Sequence, residues 1–335
     1  MTNFSSKEQP FVSVLTPVYN GEAYLAECIE SVLAQSYGNF EYIIVNNCSK
    51  DRTLQIANQY AEKDKRIRVH DNTEFVDVIA NHNIAFGLIH GAAKYCKVVS
   101  GDDFISPICI ERLVDCAESN PSVGLVGCYQ LSGAEIRWQG FRYPTSVFDG
   151  RELCRKVLLE RDPDFGFGSP TSLLYRADLI RQAQRFYPNP SPHSDTSACF
   201  RDLQTSDFGF VYEVLSFERK HSETQSTASQ NMNRYSSAYI HDLIEYGPAY
   251  LEKSDLDRLV KSELDAYRRF LAVNRVAGSQ GEEFWKYHKS RLQELGHPLK
   301  GSWLIRALAK TAAREILNPG QAIRKLRGRI RLTPA

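Results

Sequence analysis

The sequence predicts an α/β fold: a mostly parallel sheet with helices on both faces. Strand-like and helix-like patterns alternate through roughly the first 130 residues, as in repeated βα units. Two of the apolar runs also stop in polar, chemistry-bearing turns, at Thr16 to Glu22 and at Ser100 to Asp103. Open parallel sheets bind ligands at such strand ends.

The elements follow in order. Phe11-Val12-Ser13-Val14-Leu15 is β-branched and bounded by a Pro-Asn-Gly turn, so it reads as a buried strand. Leu25, Cys28, Ile29, Val32 and Leu33 come next at helical spacing. Residues 41–46 form a second strand, Asn47-Cys48-Ser49-Lys50-Asp51 a polar turn, and Leu54, Ile56, Ala57, Tyr60 and Ala61 a helix. Residues 67–70 are a short strand, 79–88 a helix, and 97–100 the next strand. Ser106-Pro107 reads as the cap and first position of a helix burying Ile110, Leu113, Val114 and Ala117. Residues 123–127 are the fifth strand. From about Glu135 the pattern loosens, with Gly150 a soft boundary. A Gly/Pro turn at 166–171 precedes a strand at 172–175. A Pro-rich loop at 187–194 leads into Asp195, at the start of a helix carrying Ala198, Cys199 and Leu203. Residues 208–212 and 215–220 read as two further strands. Beyond Ser222 the chain turns polar, then helical.

Composition narrows the classes. At 42% hydrophobic, a chain of 335 residues can bury a sizeable core. No apolar run approaches the length of a spanning helix, and residues 1–7 lack the apolar core of a secretory signal. A formal net charge of +1 argues against a polyanion binder, so no nucleic-acid partner is expected. The eight cysteines form no C-x-x-C pair, which favours reduced, buried thiols in a cytosolic protein.

The sharpest chemical feature is Asp102-Asp103. Adjacent carboxylates repel, and a cation holds both ionised. A hard divalent ion, Mn²⁺ or Mg²⁺, takes oxygen ligands and bridges diphosphate oxygens. A solvated turn or a capping pair ahead of Ser106-Pro107 explains the same residues. Asp195 reads as a helix cap or, behind a stiff loop and beside His193, as a general base. His221, closing a strand, reads as a metal or phosphate ligand or as an exposed strand end. Lys97 interrupts an apolar strand: it either meets a carboxylate or phosphate or sits at an edge with its head in water. From Lys300 onward the chain is strongly basic, with Trp303, Leu304, Ile305 and Leu308 interleaved. Such a segment reads as a membrane-surface element, a helix packed on the core, or a basic tail.

Together the stretches Val12 to Asn20, Ser31 to Tyr37, Phe40 to Thr53 and Ser100-Gly101-Asp102-Asp103 resemble the inverting glycosyltransferase family 2, whose members have the GT-A fold. Gly168-Ser169-Pro170-Thr171 and Glu218-Arg219-Lys220-His221 resemble its acceptor-side loop and strand-end Arg-x-His. The resemblance covers about residues 10–225. It implies nucleotide contacts at Thr16, Pro17, Tyr19, Glu22, Asn47 and Asp102, a metal at Asp103 with His221, and the catalytic base at Asp195. Asn46-Asn47 stand where the family usually carries aspartates, Gly101 where another carboxylate could sit, and Ser194 where the base is usually preceded by an acid.

These readings divide the chain into a tail (1–10), a GT-A domain (11–225, nucleotide-binding to 130 and acceptor-binding from 131) and a basic helical extension (226–335). The expected activity is inverting transfer from a nucleotide-diphosphate sugar to a glycan or lipid-linked acceptor hydroxyl, with Mn²⁺ or Mg²⁺. The expected place is cytoplasmic, peripheral on the inner membrane face through residues 300–335. A non-catalytic sugar-nucleotide binding module is the main alternative. A nucleotidyltransferase would want a Gly-rich basic first loop, and a scaffold would dock through the C-terminal helices.

Overall fold

The computed structural model describes residues 9–162, 164–220, 229, 232–278 and 280–309. The chain divides into two compact units, Met1–Ala228 and Ser229–Ala335.

The first unit runs β1 (Val12–Val18), α1 (Leu25–Leu33), β2 (Phe40–Asn46), α2 (Thr53–Ala61), β3 (Ile67–Asp71), α3 (Val78–Gly87), β4 (Tyr95–Val98), β5 (Phe104–Ile105) and α4 (Cys109–Ser119). It continues through β6 (Val123–Ser132), β7 (Glu135–Arg137), β8 (Val147–Phe148), α5 (Gly150–Glu160), β9 (Leu173–Arg176), α6 (Ala177–Gln182), α7 (Ser194–Asp202) and β10 (Asp207–Glu218). The sheet order is β3-β2-β1-β4-β9-β6-β10-β5, with β7 on β6 and β8 on β10. The long ladders are parallel: β1 with β2 and β4, β2 with β3, and β6 with β10. Strand β9 is antiparallel to both β4 and β6, so it joins two parallel halves. All of β1 is buried, as a strand covered on both faces requires. Helix α1 buries Leu25, Cys28, Ile29 and Val32, and α4 buries Cys109, Ile110, Leu113, Val114 and Ala117, into one core with β1, β2 and β6. The eight cysteines are free thiols.

Several local expectations are corrected. The fourth strand is 95–98 rather than 97–100, because its pairing with β1 ends at Val98 opposite Leu15. Ser106 and Pro107 lie before α4: the Ser106 carbonyl accepts from Cys109 N at 2.9 Å, and Ile108, without a side-chain cap, occupies the cap position. The two strands expected at 208–220 are one bulged strand, β10. Gly150 is no boundary; it opens α5, where a Cβ would lie 2.0 Å from the Ser206 carbonyl oxygen. Lys97 sits neither at an edge nor with its head in water. It is 0% exposed in a central strand, and its Nζ donates to the Thr171 and Leu173 carbonyls at the entry to β9.

The second unit is helical: α8 (Arg234–Glu245), α9 (Gly247–Tyr250), α10 (Lys253–Ala277) and α11 (Glu282–Glu294). Its core gathers Ile240, Leu264, Tyr267, Leu271, Phe284, Leu292 and Leu295. Helix α10 stops at Gly278, whose φ of +66° suits a left-handed cap. Among the described residues no helix is long and apolar enough to cross a membrane. Inside this core the Nδ1 of buried His288 meets the Tyr267 hydroxyl. Burial holds the His288 pKa down at about 4 against the ordinary 6.5.

Two outcomes are expected. Lys97→Met leaves two buried carbonyls without their donor and lowers unfolding stability by about 2 kcal/mol in urea titrations. For His288 the folded pKa lies below the unfolded one, so the unfolded chain gains its proton first as pH falls. Its contribution is complete above the ordinary histidine range and is lost progressively toward the folded value. The urea midpoint of the wild type, followed by tryptophan fluorescence, should drop more between pH 7 and pH 5 than that of His288→Phe; parallel drops refute the assignment.

Candidate functional site

The sheet order reverses about β1, with β2 on one side and β4 on the other, and a crevice opens at such a reversal. Strand β2 accompanies β1 to Val18, whereas β4 leaves at Leu15. Leu15 O still accepts from Val99 N at 2.9 Å. Pro17, two residues further on, therefore turns its missing N–H toward the gap, where no ladder bond is lost. Gly101 lines the same gap: a Cβ there would stand 2.8 Å from Val18 Cγ2. That close approach explains why no third carboxylate precedes Asp102.

Two loops are strapped together at this edge. Asn20 N donates to Ser49 Oγ (2.9 Å), Lys50 N to Asn20 Oδ1 (2.9 Å), Glu22 N to Asp51 Oδ2 (3.0 Å) and Arg52 N to Glu22 Oε2 (2.9 Å). Asn20 adopts a φ of 50° to make the turn. Glu22 is thus held by its neighbour loop while remaining at the surface. Tyr19, 43% exposed, leans on Phe75, 60% exposed, with ring centroids 4.9 Å apart. Phe75 was not legible as a site residue, because a lone aromatic in a short loop carries no pattern.

Asn47 faces the loop after β3. It is 2% exposed; its Oδ1 accepts from Val76 N (3.0 Å) and Asn72 Nδ2 (3.1 Å), and its Nδ2 donates to Val76 O (2.8 Å). Both edges of the amide grip the loop after β3. Thr16 lies deeper. Its hydroxyl is buried in the core between the Tyr42 hydroxyl (2.9 Å) and the Val99 carbonyl (2.8 Å), so its side chain does not reach the crevice.

Asp103 is 6% exposed at the crevice floor. Its Oδ2 accepts from the Thr171 hydroxyl (2.5 Å) and its Oδ1 from Arg219 N (3.3 Å), while Ser100 N donates to Thr171 Oγ1 (3.1 Å). Burial, and then the charge of Asp102, push the Asp103 pKa up to about 8 against the hydrogen bonds that favour ionisation. Two carboxylates of hard oxygen character, one deeply buried and destabilised as an anion, fit a divalent cation. Among the described residues no cluster of three acidic, histidine or cysteine groups completes a shell. His221 lies outside the described residues. Beside Asp103 the Arg219 side chain packs over Tyr24 and Phe104 and pairs with Glu27. Together with Phe217 and Lys220 these rings line a cavity of about 340 Å³.

Asp195 is the second residue of α7, and its Oδ1 accepts from Thr196 N at 2.7 Å. Its charge opposes ionisation of Tyr187, Tyr175 and Cys199, whose pKa values burial already raises. Tyr187 belongs to the Pro-rich loop and is bound to α3 through Asn83: Tyr187 N donates to Asn83 Oδ1 (2.9 Å) and Asn83 Nδ2 to Tyr187 O (3.0 Å).

Known proteins resemble this chain in sequence or in fold. The model of glycosyl transferase family 2 matches residues 13–183. An uncharacterised glycosyltransferase of Haemophilus influenzae is 27% identical over 252 residues, 74% of this chain and 76% of its own length. The uncharacterised glycosyltransferase EpsJ of Bacillus subtilis is 38% identical over 120 residues, 36% of this chain and 33% of its own. Among solved structures, residues 1–349 of S. aureus TarS with UDP-GlcNAc superpose with a TM-score of 0.58 at 16% identity, over 85% of this chain and 80% of that one. The mannosyltransferase PcManGT of Pyrobaculum calidifontis, with GDP-Man and Mn²⁺, gives 0.52 at 14% identity, over 90% and 87%. Both share the fold.

Asn47→Asp tests the loop-holding role. The carboxylate still accepts from Val76 N but repels Val76 O, so amide hydrogen exchange at 72–76 should rise by roughly ten-fold or more. Unchanged exchange there would show that Asn47 does not secure the loop.

Proposed function

The chain belongs to glycosyl transferase family 2, and on that premise we propose that it moves a sugar from a nucleotide-diphosphate sugar to an acceptor hydroxyl with inversion at the anomeric carbon. The observation that carries the reading is the crevice at the strand reversal, with an exposed aromatic pair at one end and a buried carboxylate at the other. The neighbours of shared fold bound to UDP-GlcNAc and to GDP-Man with Mn²⁺ support the donor class and the metal.

The base stacks on Tyr19, next to Phe75. The backbone at Pro17 and the strapped Glu22 loop border the nucleoside, and Asp102 meets the ribose. Asp103, with Asp102, would hold Mn²⁺ or Mg²⁺. Such an ion, when bound, supplies charge neutralisation to a departing diphosphate. His221 assists at the metal or the phosphates. Asp195 takes the proton of the acceptor hydroxyl as its oxygen attacks the anomeric carbon from the face opposite the diphosphate. The new glycosidic C–O bond forms as the bond to the diphosphate oxygen breaks. The acceptor is a glycan or lipid-linked glycan of the cell surface, met at the cytoplasmic face of a membrane that residues 300–335 approach. Of that segment, 310–335 lie outside the described residues.

Asp195→Asn should lower turnover by roughly 10²–10⁴-fold while the dissociation constant of the nucleotide sugar, measured by calorimetry with Mn²⁺, stays within about two-fold of wild type. Near wild-type turnover would remove Asp195 from the role of base. Wild-type chain that binds donor yet releases no nucleotide with any glycan acceptor would favour the binding-module reading.

A further inference from the structure

In the helical unit a cavity of about 360 Å³ opens between the middle of α10 and the segment after α11. Arg268, Arg269, His297, Lys300 and Arg306 line it, with Trp303 as an apolar wall and Asp265 as the one acid among the described residues. The size falls at the lower end of small-ligand pockets.

Three other long cations of this unit are paired within their own helices. Lys253 meets Asp257 at 3.0 Å, Arg258 meets Asp255 at 2.8 Å, and Arg291 meets Glu294 at 2.5 Å. Among the described residues, none of Arg268, Arg269, Lys300 and Arg306 has an acidic partner within ion-pair distance. The α10 macrodipole does not account for the two arginines either. Its effect fades within the last turn, and Arg268 lies more than two turns before Ala277. The half-buried guanidiniums are not simply solvated, and burial followed by the charge of Arg268 lowers the His297 pKa. Among the described residues, like charges are therefore crowded into a concave site whose cations outnumber its acid.

We propose that this cavity is an anion site of the C-terminal unit, taking a phosphate ester or diphosphate group through Arg268, Arg269, Lys300 and Arg306. Guanidinium forks suit such oxygens, because two parallel N–H donors match two phosphate oxygens. Trp303 offers a ring face to the carbon skeleton that carries the phosphate. The group comes from either a soluble phosphorylated glycan or a lipid headgroup. The site is independent of the donor crevice and stands or falls apart from the proposed transfer reaction.

The test uses the full chain and two variants, Arg268→Gln/Arg269→Gln and Lys300→Gln/Arg306→Gln. One arm titrates pyrophosphate at constant ionic strength by calorimetry and thermal shift. The other sediments phosphatidylcholine vesicles with and without phosphatidylglycerol. The expected result is an affinity, in one arm or both, that each variant weakens by roughly ten-fold or more. Loss in the pyrophosphate arm identifies a soluble phosphate ester; loss confined to phosphatidylglycerol vesicles identifies a headgroup. Equal behaviour of wild type and either folded variant in both arms overturns the proposal. The second pair, on exposed residues, decides if the first fails to fold. A wild type without transfer activity would sink the proposed reaction and leave this site untouched.

Discussion

The active face depends on one buried ammonium. Lys97 stands in the middle of the sheet, fully enclosed, and its donors go to the Thr171 and Leu173 carbonyls. Enclosing a charge is costly unless it is well hydrogen-bonded, and charge-assisted bonds to two carbonyls offset that cost. The consequence is positional. The bonds fix the entry of β9, the strand that joins the two parallel halves. They also fix Thr171, whose hydroxyl holds Asp103. A lysine deep in the core thus orients a carboxylate at the crevice floor.

The crevice shows how packing limits its own chemistry. Val18 crowds both Gly21 and Gly101, with Cβ approaches of 2.6 and 2.8 Å, so neither position admits a side chain without displacement. The acidic pair is confined to Asp102 and Asp103, and burial raises the pKa of the second. At the other end β2 runs out in two amides, Asn46 and Asn47. Asn46 donates to Asp71 at 2.7 Å and Asn72 to Asn81 at 2.9 Å, and with Asn47 they tie β2, β3 and the following loop. The Tyr19–Phe75 pair, by contrast, keeps its rings exposed.

Much of the fold was legible because it rests on short-range regularities. The β-branched run of β1 and the helical spacing of Leu25, Cys28, Ile29 and Val32 announce a strand and a helix whatever surrounds them. Two carboxylates after an apolar strand likewise point to a cation. Ser106-Pro107 misled because cap chemistry also suits an ordinary turn. Lys97 stayed ambiguous because its partners lie more than 70 residues away in sequence.

The amino-acid order alone determined the α/β class, the strand–turn–helix units of the first half, the acidic pair and the family likeness. All of these are written in local periodicity and contiguous motifs. Only the tertiary structure decided that β9 runs antiparallel between two parallel halves, that Thr16 faces the core and that Asn47 grips Val76. It alone set Phe75 against Tyr19 and gathered Arg268 and Arg269 around one cavity with Lys300 and Arg306. Each of these depends on which distant segments meet, and a side chain's partners are set by that meeting rather than by its neighbours in sequence.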